Sequence, residues 1–333
     1  MSDIRQQLEQ FRSGIEALEH EIGCIIAGQR DVIRSVIIAM TAGGHVLLEG
    51  VPGLGKTLLV KTLAEAVSST FSRIQFTPDL MPADITGTNI LAFADSPTGG
   101  SRRFEFQPGP VFAGIILADE INRATPKTQS ALLEAMQEHS VTVNGTTHKL
   151  GNFFFVLATQ NPLEMEGTYP LPEAQLDRFF AKILVPFPKS EELMTILDRT
   201  TATECYAVKA VLSAQDILAF GRLSREVPVA EEIKRYAVDL CIATHPEGGS
   251  VLGSKTSDYV KRYVRFGVSP RAAQALLLGA KINAVLDGRF NVSREDMKLL
   301  APMIFRHRII LNFEGQAENI TPDDVVKTVL AVV

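Results

Sequence analysis

The residues best suited to chemistry lie between Gly50 and Thr57, where the chain reads Gly-Val-Pro-Gly-Leu-Gly-Lys-Thr. Glycines at this spacing let successive backbone N–H groups curl around phosphate oxygens, because no Cβ obstructs their approach. Lys56 would place a positive charge on the β- and γ-phosphates, and the Thr57 hydroxyl would bind Mg²⁺. We therefore predict a triphosphate site with contacts from Gly50, Pro52, Gly53, Leu54, Gly55, Lys56, Thr57 and Leu58.

A strand and a helix flank this loop. Residues 45–49 form a short apolar run suited to a buried strand, and Thr57 to Val67 has the composition of a helix. The free N–H groups and the dipole at the start of such a helix attract an anion. In this context, a glycine-rich turn that binds nothing is the weaker interpretation.

Two acidic residues end another apolar run, Ile115 to Ala118. Functional groups of a parallel sheet collect at the carboxyl ends of its strands. Asp119 would hold Mg²⁺ directly or through water, and Glu120 would orient and deprotonate an attacking water. The alternative is an acidic helix N-cap after a buried strand, which the upstream phosphate loop makes less favourable.

Asn161 follows the apolar run 153–158 and could hydrogen-bond the γ-phosphate or the attacking water. Its alternative is plain Asn-Pro turn chemistry.

Arg178 ends a short helix and offers an always-charged fork for a phosphate. It would reach a neighbouring subunit's nucleotide if it cannot fold back to its own, whereas the alternative is an Asp–Arg surface pair. Arg123 is a second candidate for this contact between subunits.

Arg271 opens a helix in the second half of the chain, where the helix dipole disfavours a positive charge. An anionic nucleotide across a domain cleft would offset this cost, while the alternative is simple exposure to solvent.

His307, between two arginines, could be interpreted as catalytic. Packing of a lid helix or a basic subunit contact is the favoured interpretation.

Five apolar runs alternate with helical segments through the first half of the chain, which predicts an α/β domain with a parallel sheet and helices on both faces. These runs are 45–49, 73–77, 115–118, 153–158 and 182–185. After the linker at Val185–Pro188 no convincing strand follows, so we predict a small all-helical domain. We place the boundary near Phe187, between domains 1–187 and 188–333.

Two hairpins are predicted to interrupt the α/β pattern. One spans Val141 to His148 around Asn144-Gly145, a strong two-residue turn signal. The other spans roughly Asn89 to Phe106, with residues 96–100 at its tip. Three later helices have predicted N-caps at Ser213, Ser293 and Thr321.

Composition limits the possible partners. The net charge of −5 and pI near 5.8 provide no global positive field for nucleic acid, although basic residues could still line a pore. The three cysteines Cys24, Cys205 and Cys241 form no C-x-x-C pair, so we expect neither a thiolate zinc site nor a disulfide framework. A reducing cytosol is the expected compartment, and neither a signal peptide nor a membrane-spanning run is predicted.

Together these residues resemble the AAA+ ATPase superfamily and, within it, the MoxR family. The resemblance covers nearly the whole chain, from Ile25 to Ile309. It is carried by five ordered blocks: Gly50–Thr57, Ala118–Ala124, Leu132–Glu138, Ala158–Pro162 and Leu171–Phe179.

The resemblance implies a five-stranded parallel sheet, a helical lid, and a hexameric ring with ATP between subunits. Lys56 and Thr57 correspond to Walker A, and Asp119 and Glu120 to Walker B. Asn161 corresponds to sensor 1, Arg178 to the arginine finger and Arg271 to sensor 2. Residues 26–29, which include Gly28 and Gln29, would contact the adenine. The hairpins correspond to the helix-2 insert and the pre-sensor-1 hairpin.

The family's members imply a function in protein remodelling. They act as chaperone-like ATPases with a von Willebrand factor A (VWA) domain protein, and they help to mature or activate an enzyme complex. We therefore expect an ATP- and Mg²⁺-dependent remodeller without direct nucleic-acid binding. The alternatives are the ATPase subunit of a metal chelatase, a nucleic-acid motor of the helicase-loader type, and a scaffold that binds ATP without useful hydrolysis.

Overall fold

A five-stranded sheet forms the centre of the first domain in the computed structural model, which describes residues 2–94, 101–163, 167–201, 206–248 and 257–333. Its strands are all parallel and lie in the order β2-β5-β8-β1-β9. The predicted parallel sheet is confirmed. The strands are β1 (Val46–Glu49), β2 (Phe71–Gln75), β5 (Ile115–Asp119), β8 (Phe155–Gln160) and β9 (Ala181–Leu184).

Both faces of this sheet are buried, which explains why its strands read as continuous apolar runs. Successive side chains of a strand point to opposite faces. Ile115 and Leu117 belong to one hydrophobic cluster, whereas Ile116 and Ala118 belong to a second cluster on the other face. The sheet therefore separates two apolar layers, and its polar groups are left to the strand ends.

Helices cover the sheet and continue beyond it. Those of the first domain are Ser2–Ile25, Arg30–Thr41, Lys56–Ala66, Pro82–Thr86, Pro126–Glu138 and Glu173–Leu176. Later helices are Ser190–Thr201, Ala214–Arg225, Glu231–Ala243, Asp258–Tyr263, Pro270–Leu286, Arg294–Phe305, Phe313–Ala317 and Pro322–Val332. Within the described ranges, none combines the length and apolar character that a membrane span requires.

The predicted helix starts at Ser213, Ser293 and Thr321 are confirmed. Each of these side chains accepts a hydrogen bond from the backbone N–H three residues later, and an Asp at that third position bonds back. Such reciprocal capping boxes satisfy two N–H groups that a helix start leaves unpaired. They explain why these three boundaries could be predicted from local sequence.

In the part of the lid that the structure describes, the chain is helical except for one short strand pair, which the sequence did not predict. Strand β10 (Val264–Phe266) pairs antiparallel with β11 (Ile310–Leu311). Strands of two and three residues are too short to show alternation of apolar and polar residues.

Between Leu184 and Ser190 the chain leaves the sheet for the lid, and the boundary near Phe187 stays a prediction.

Both predicted hairpins are present. Strands β3 (Gly87–Ala94) and β4 (Ser101–Pro108) form the first, whose predicted tip at 96–100 lies outside the described residues. Strands β6 (Ser140–Val143) and β7 (Thr146–Lys149) form the second, and both turn residues between them have positive φ. The ring of Phe106 stacks on that of His148 with centroids 3.8 Å apart, so the two hairpins contact each other.

Candidate nucleotide-binding site

The predicted phosphate loop connects β1 to the helix Lys56–Ala66. Gly53 and Gly55 have φ of 82° and 75°, and a Cβ built on either would meet no atom within 4 Å. The loop therefore needs glycine for its conformation, and it leaves open space beside its backbone. Lys56 Nζ donates to the Gly50 carbonyl at 2.5 Å, which holds the ammonium group over the loop.

The other polar residues of the site follow strands that end at the same edge as β1. Glu49 is in register with Gln160, and Ala118 with Ala158. Gly50, Asp119 and Asn161 therefore come together at the carboxyl edge of the sheet, as the parallel topology predicts. Asn161 is buried, and its side-chain oxygen accepts from the Leu163 N–H at 3.1 Å.

Asp119 is held from both sides of its carboxylate. Its Oδ1 accepts a 2.6 Å hydrogen bond from the Thr159 hydroxyl, and its Oδ2 accepts from Arg73 at 2.7 Å. Asp119 itself is only 9 % exposed. Charge-assisted bonds of this length fix a carboxylate's orientation.

Glu120 lies just beyond the strand in a left-handed backbone conformation, with φ of 56°. Its Oε2 accepts from Gln75 Nε2 at 2.7 Å and lies 3.1 Å from Arg123 Nη1. Non-glycine residues adopt this conformation infrequently, and it turns the side chain away from the strand's own direction. Arg123, the second candidate for a contact between subunits, thus lies against Glu120 of its own chain.

Three residues of this arrangement were missed in the sequence analysis: Arg73, Gln75 and Thr159. Arg73 and Gln75 are two apart on β2, so they project from the same face of the sheet. β2 and β8 flank β5, which brings these side chains to the two acids. The alternation of polar and apolar residues in β2 could have singled out Arg73 and Gln75, but only the strand order shows which acids they contact.

The segment at Gly28 and Gln29 contacts the phosphate loop directly. Gln29 Nε2 donates to the Leu54 carbonyl at 3.2 Å. A Cβ at Gly28 would lie 2.3 Å from the Glu192 carboxyl carbon, so this segment packs between the loop and the helix Ser190–Thr201. A cavity of about 760 Å³ beside it is bordered by Gly28 and Arg199. This segment therefore lies where a base attached to a loop-bound phosphate could reach.

Arg178 and Arg271 lie elsewhere, around a cavity of about 680 Å³ that Gly44 and Phe180 also line. Gly44 precedes β1 and Phe180 precedes β9, so this cavity is at the amino edge of the sheet. Gly44 and Gly50 are roughly 20 Å apart at the usual rise of a strand. The structure thus brings the two arginines together but places them away from their own phosphate loop.

Asp177 joins this amino edge to the lid. It accepts from Arg308 Nε at 2.7 Å and from the Ser269 hydroxyl at 2.9 Å, and it lies 3.5 Å from Arg271 Nη1. Burial lowers the pKa of Arg308, and the bond to Asp177 opposes that shift. Arg178 instead donates to the Leu133 carbonyl at 2.7 Å. The alternative of a simple pair between Asp177 and Arg178 is therefore not what the structure contains.

His307 is buried, with its Nε2 3.1 Å from the Phe179 carbonyl. Burial lowers its pKa well below the usual value, and neighbouring Arg308 lowers it further. A neutral imidazole packed between lid and sheet agrees with the favoured packing interpretation.

The residues at the carboxyl edge fit a nucleoside triphosphate and Mg²⁺. The loop offers exposed backbone around Gly53 and Gly55 together with the ammonium group of Lys56. The Thr57 hydroxyl and the Asp119 carboxylate are oxygen donors of the kind that Mg²⁺ prefers. Both the chemistry of these donors and the open space beside the loop match such a ligand.

Known proteins resemble this chain over most of its length. Residues 45–181 match the model of the ATPase family associated with various cellular activities (AAA), and residues 257–329 match an AAA lid domain. Chaperone MoxR1 of Mycobacterium tuberculosis is 43% identical over 96% of this chain and 81% of its own length. Protein MoxR of Paracoccus denitrificans is 30% identical, over 96% and 95%.

A protein of uncharacterised function, YeaC of Bacillus subtilis, is 41% identical over 96% of this chain and 93% of its own. A crystal structure of a candidate ATPase from Cytophaga hutchinsonii superposes with a TM-score of 0.90 at 41% identity, covering 100% of this chain and 98% of that one. The strand order, the phosphate loop and the helical lid described above agree with these similarities. The chain belongs to the MoxR family of AAA+ ATPases.

Proposed function

We propose that this protein hydrolyses ATP with Mg²⁺ and uses the energy to remodel a partner protein. The observation that carries the proposal is the meeting of the phosphate loop, Asp119, Glu120 and Asn161 at one edge of the sheet. Phosphoryl transfer to water needs positioning and charge more than covalent chemistry. These four elements supply a phosphate cradle, a metal ligand, a base and a polar group for the γ-phosphate.

Each residue has a separate task in this mechanism. Lys56 and the loop N–H groups bind the phosphates, while Thr57 and Asp119 hold Mg²⁺. Glu120 orients a water molecule and accepts its proton, and Asn161 positions that water or the γ-phosphate. Bound Mg²⁺ supplies positive charge against the charge that develops on the phosphate oxygens. The backbone at Gly28 and Gln29 borders the adenine.

The site is completed by a second copy of the chain. Arg178 and Arg271 share the cavity at the amino edge, which lies across the sheet from their own phosphate loop. An arginine supplied by a neighbour can stabilise the transferred phosphoryl group by about 10³–10⁵ in rate. A head-to-tail ring, most simply a hexamer, lets each subunit's arginines face the next subunit's loop.

The family supports the remodelling role. One relative is named a chaperone, MoxR1, and another carries the family name MoxR. We infer a chaperone-like action on a client complex, together with a VWA-domain protein, in the cytoplasm. The two hairpins and the lid would transmit motion to these partners. The free thiols of Cys24 and Cys241 are compatible with that compartment, while Cys205 lies outside the described residues.

Glu120→Gln tests the hydrolytic mechanism. The amide keeps the shape of the side chain but cannot accept the proton, so turnover should fall by about 10²–10⁴-fold. ATP affinity, measured with a fluorescent analogue, should stay within about threefold of wild type, because Glu120 is given no part in holding the phosphates. Glu231→Gln, which removes an 87% exposed carboxylate from the lid, is the matched control. Near-normal turnover of Glu120→Gln would remove its proposed role.

The same variant tests the choice of partner. Tagged Glu120→Gln protein with ATP should trap complexes in lysate of the native host, and mass spectrometry identifies what co-elutes. A VWA-domain protein with an enzyme complex supports the proposed remodelling role. Tetrapyrrole-pathway subunits would favour the chelatase alternative, and replication proteins would favour the nucleic-acid motor.

A further inference from the structure

Strand β2 places a fixed positive charge against the acid that we assign to Mg²⁺. Arg73 Nη2 lies 2.7 Å from Asp119 Oδ2, and Arg73 Nε donates to the same oxygen at 3.2 Å. The Arg73 side chain is 48% exposed, whereas that of Asp119 is 12% exposed. The arginine therefore approaches from the solvent side and can leave without disturbing the core.

We propose that Arg73 is a positioning residue that neutralises Asp119 when no metal is bound and competes with Mg²⁺ for this carboxylate. The inference rests on the proposed function, since it takes Asp119 as a metal ligand. A guanidinium group stays charged at every physiological pH, so the competition does not depend on protonation.

The hydrogen bonds around Asp119 account for the competition. Thr159 occupies Oδ1 through its hydroxyl, and Arg73 occupies Oδ2 with two nitrogens. A divalent ion at either oxygen would lie within a few ångströms of the guanidinium, where like charges repel strongly at a partly desolvated site. Arg73 must therefore move or be displaced when Mg²⁺ arrives.

A second contact connects this displacement to Glu120. Arg73 Nη2 also donates to Gln75 Oε1 at 2.8 Å, and Gln75 Nε2 donates to Glu120 Oε2 at 2.7 Å. Gln75 is oriented by Arg73 on one side and holds the carboxylate of Glu120 on the other. Departure of Arg73 would remove one partner of Gln75, while Arg123 stays 3.1 Å from the same oxygen of Glu120.

The test measures metal dependence of binding rather than turnover. Binding of fluorescent mant-ADP is followed by anisotropy while Mg²⁺ is titrated, for wild type and Arg73→Gln. Removing the competing charge should lower the Mg²⁺ concentration at half-maximal binding by about fivefold, the scale of a partly exposed ion pair. Arg73→Lys keeps the charge and should shift it less than Arg73→Gln does.

Arg235→Gln is the matched control, because it removes the same charge from a 76% exposed side chain on the lid and should leave the Mg²⁺ midpoint unchanged. A midpoint for Arg73→Gln equal to or above that of wild type overturns the role of Arg73 alone. If Arg73→Gln does not fold, Arg73→Met is measured by the same criterion. Failure of wild-type protein to bind mant-ADP at any Mg²⁺ concentration would overturn the proposed function as well.

Discussion

The two edges of the central sheet carry different parts of the proposed site. At the carboxyl edge, Asp119 and Glu120 lie beside a phosphate loop and are surrounded by donors from neighbouring strands. At the amino edge, Arg178 and Arg271 line a cavity, and Asp177 ties that edge to the lid. Under the proposed mechanism, one chain holds both halves of the phosphate-transfer site, but at opposite edges of its sheet.

The strongest test of this comparison mixes two inactive variants. Arg178→Ala should lower turnover by about 10³-fold, and Lys56→Ala should abolish nucleotide binding. If the arginine acts on the neighbouring subunit, equal amounts of the two variants should recover about a quarter of wild-type turnover, because random assembly restores that share of interfaces. The measurement is steady-state phosphate release after co-assembly.

The control for this experiment mixes Lys56→Ala with Glu120→Gln, both changed at the carboxyl edge. No interface of that mixture contains an intact carboxyl edge, so turnover should stay at the background level. If the mixture of Lys56→Ala with Arg178→Ala also stays at the background level, both edges serve the nucleotide of the same subunit.

Asp177→Ala tests what holds the amino edge together. It leaves the buried guanidinium of Arg308 without its carboxylate, so the free energy of unfolding should fall by about 3 kcal/mol. Chemical denaturation measures the change. Glu314→Ala removes a carboxylate from an exposed pair with Arg262 and should cost less than about 1 kcal/mol. Equal costs for the two variants would mean that Asp177 contributes no more than a surface charge.

A pH titration of stability tests the amino edge of the sheet at a second residue. His45, just before β1, accepts from the Val156 N–H at Nδ1, and its Nε2 lies 3.3 Å from the Met136 carbonyl. Burial lowers its pKa to about 4 from 6.5, so the unfolded chain binds more protons between these values. Stability should therefore fall as pH drops from about 6.5 to about 4, with a contribution on the order of 3 kcal/mol.

His45→Gln supplies the comparison for that titration, since an amide can replace both hydrogen bonds and does not titrate. Unfolding free energies measured from pH 7 to pH 4 should depend less on pH in this variant than in wild type. His307 titrates in both proteins and cancels from the difference. Identical pH dependences would show that His45 is not held neutral by the fold.

The carboxyl edge could be predicted from sequence because its signals are local. The loop from Gly50 to Thr57 specifies its own backbone through glycine, and Asp119 and Asn161 directly follow apolar runs. The three helix starts at Ser213, Ser293 and Thr321 are equally local, since both partners of each capping box lie three residues apart. Parallel topology then dictates that strand ends meet at one edge.

The remainder depends on contacts between segments far apart in the chain. Arg73 and Asp119 are 46 residues apart and meet only because β2 pairs with β5. The position of Arg271 beside Arg178 depends on how the lid docks, which one helix start does not specify. The pairing of β10 with β11 joins segments too short to have a pattern of their own.

The stacked rings of Phe106 and His148 have a consequence for protein engineering. They join two hairpins that are separate in sequence, so neither surface is an independent module. A chimaera that exchanges these hairpins with those of a relative would need to transplant 87–108 and 140–149 together. Grafting one segment alone would leave a donor aromatic ring facing a host side chain that was never selected to stack on it.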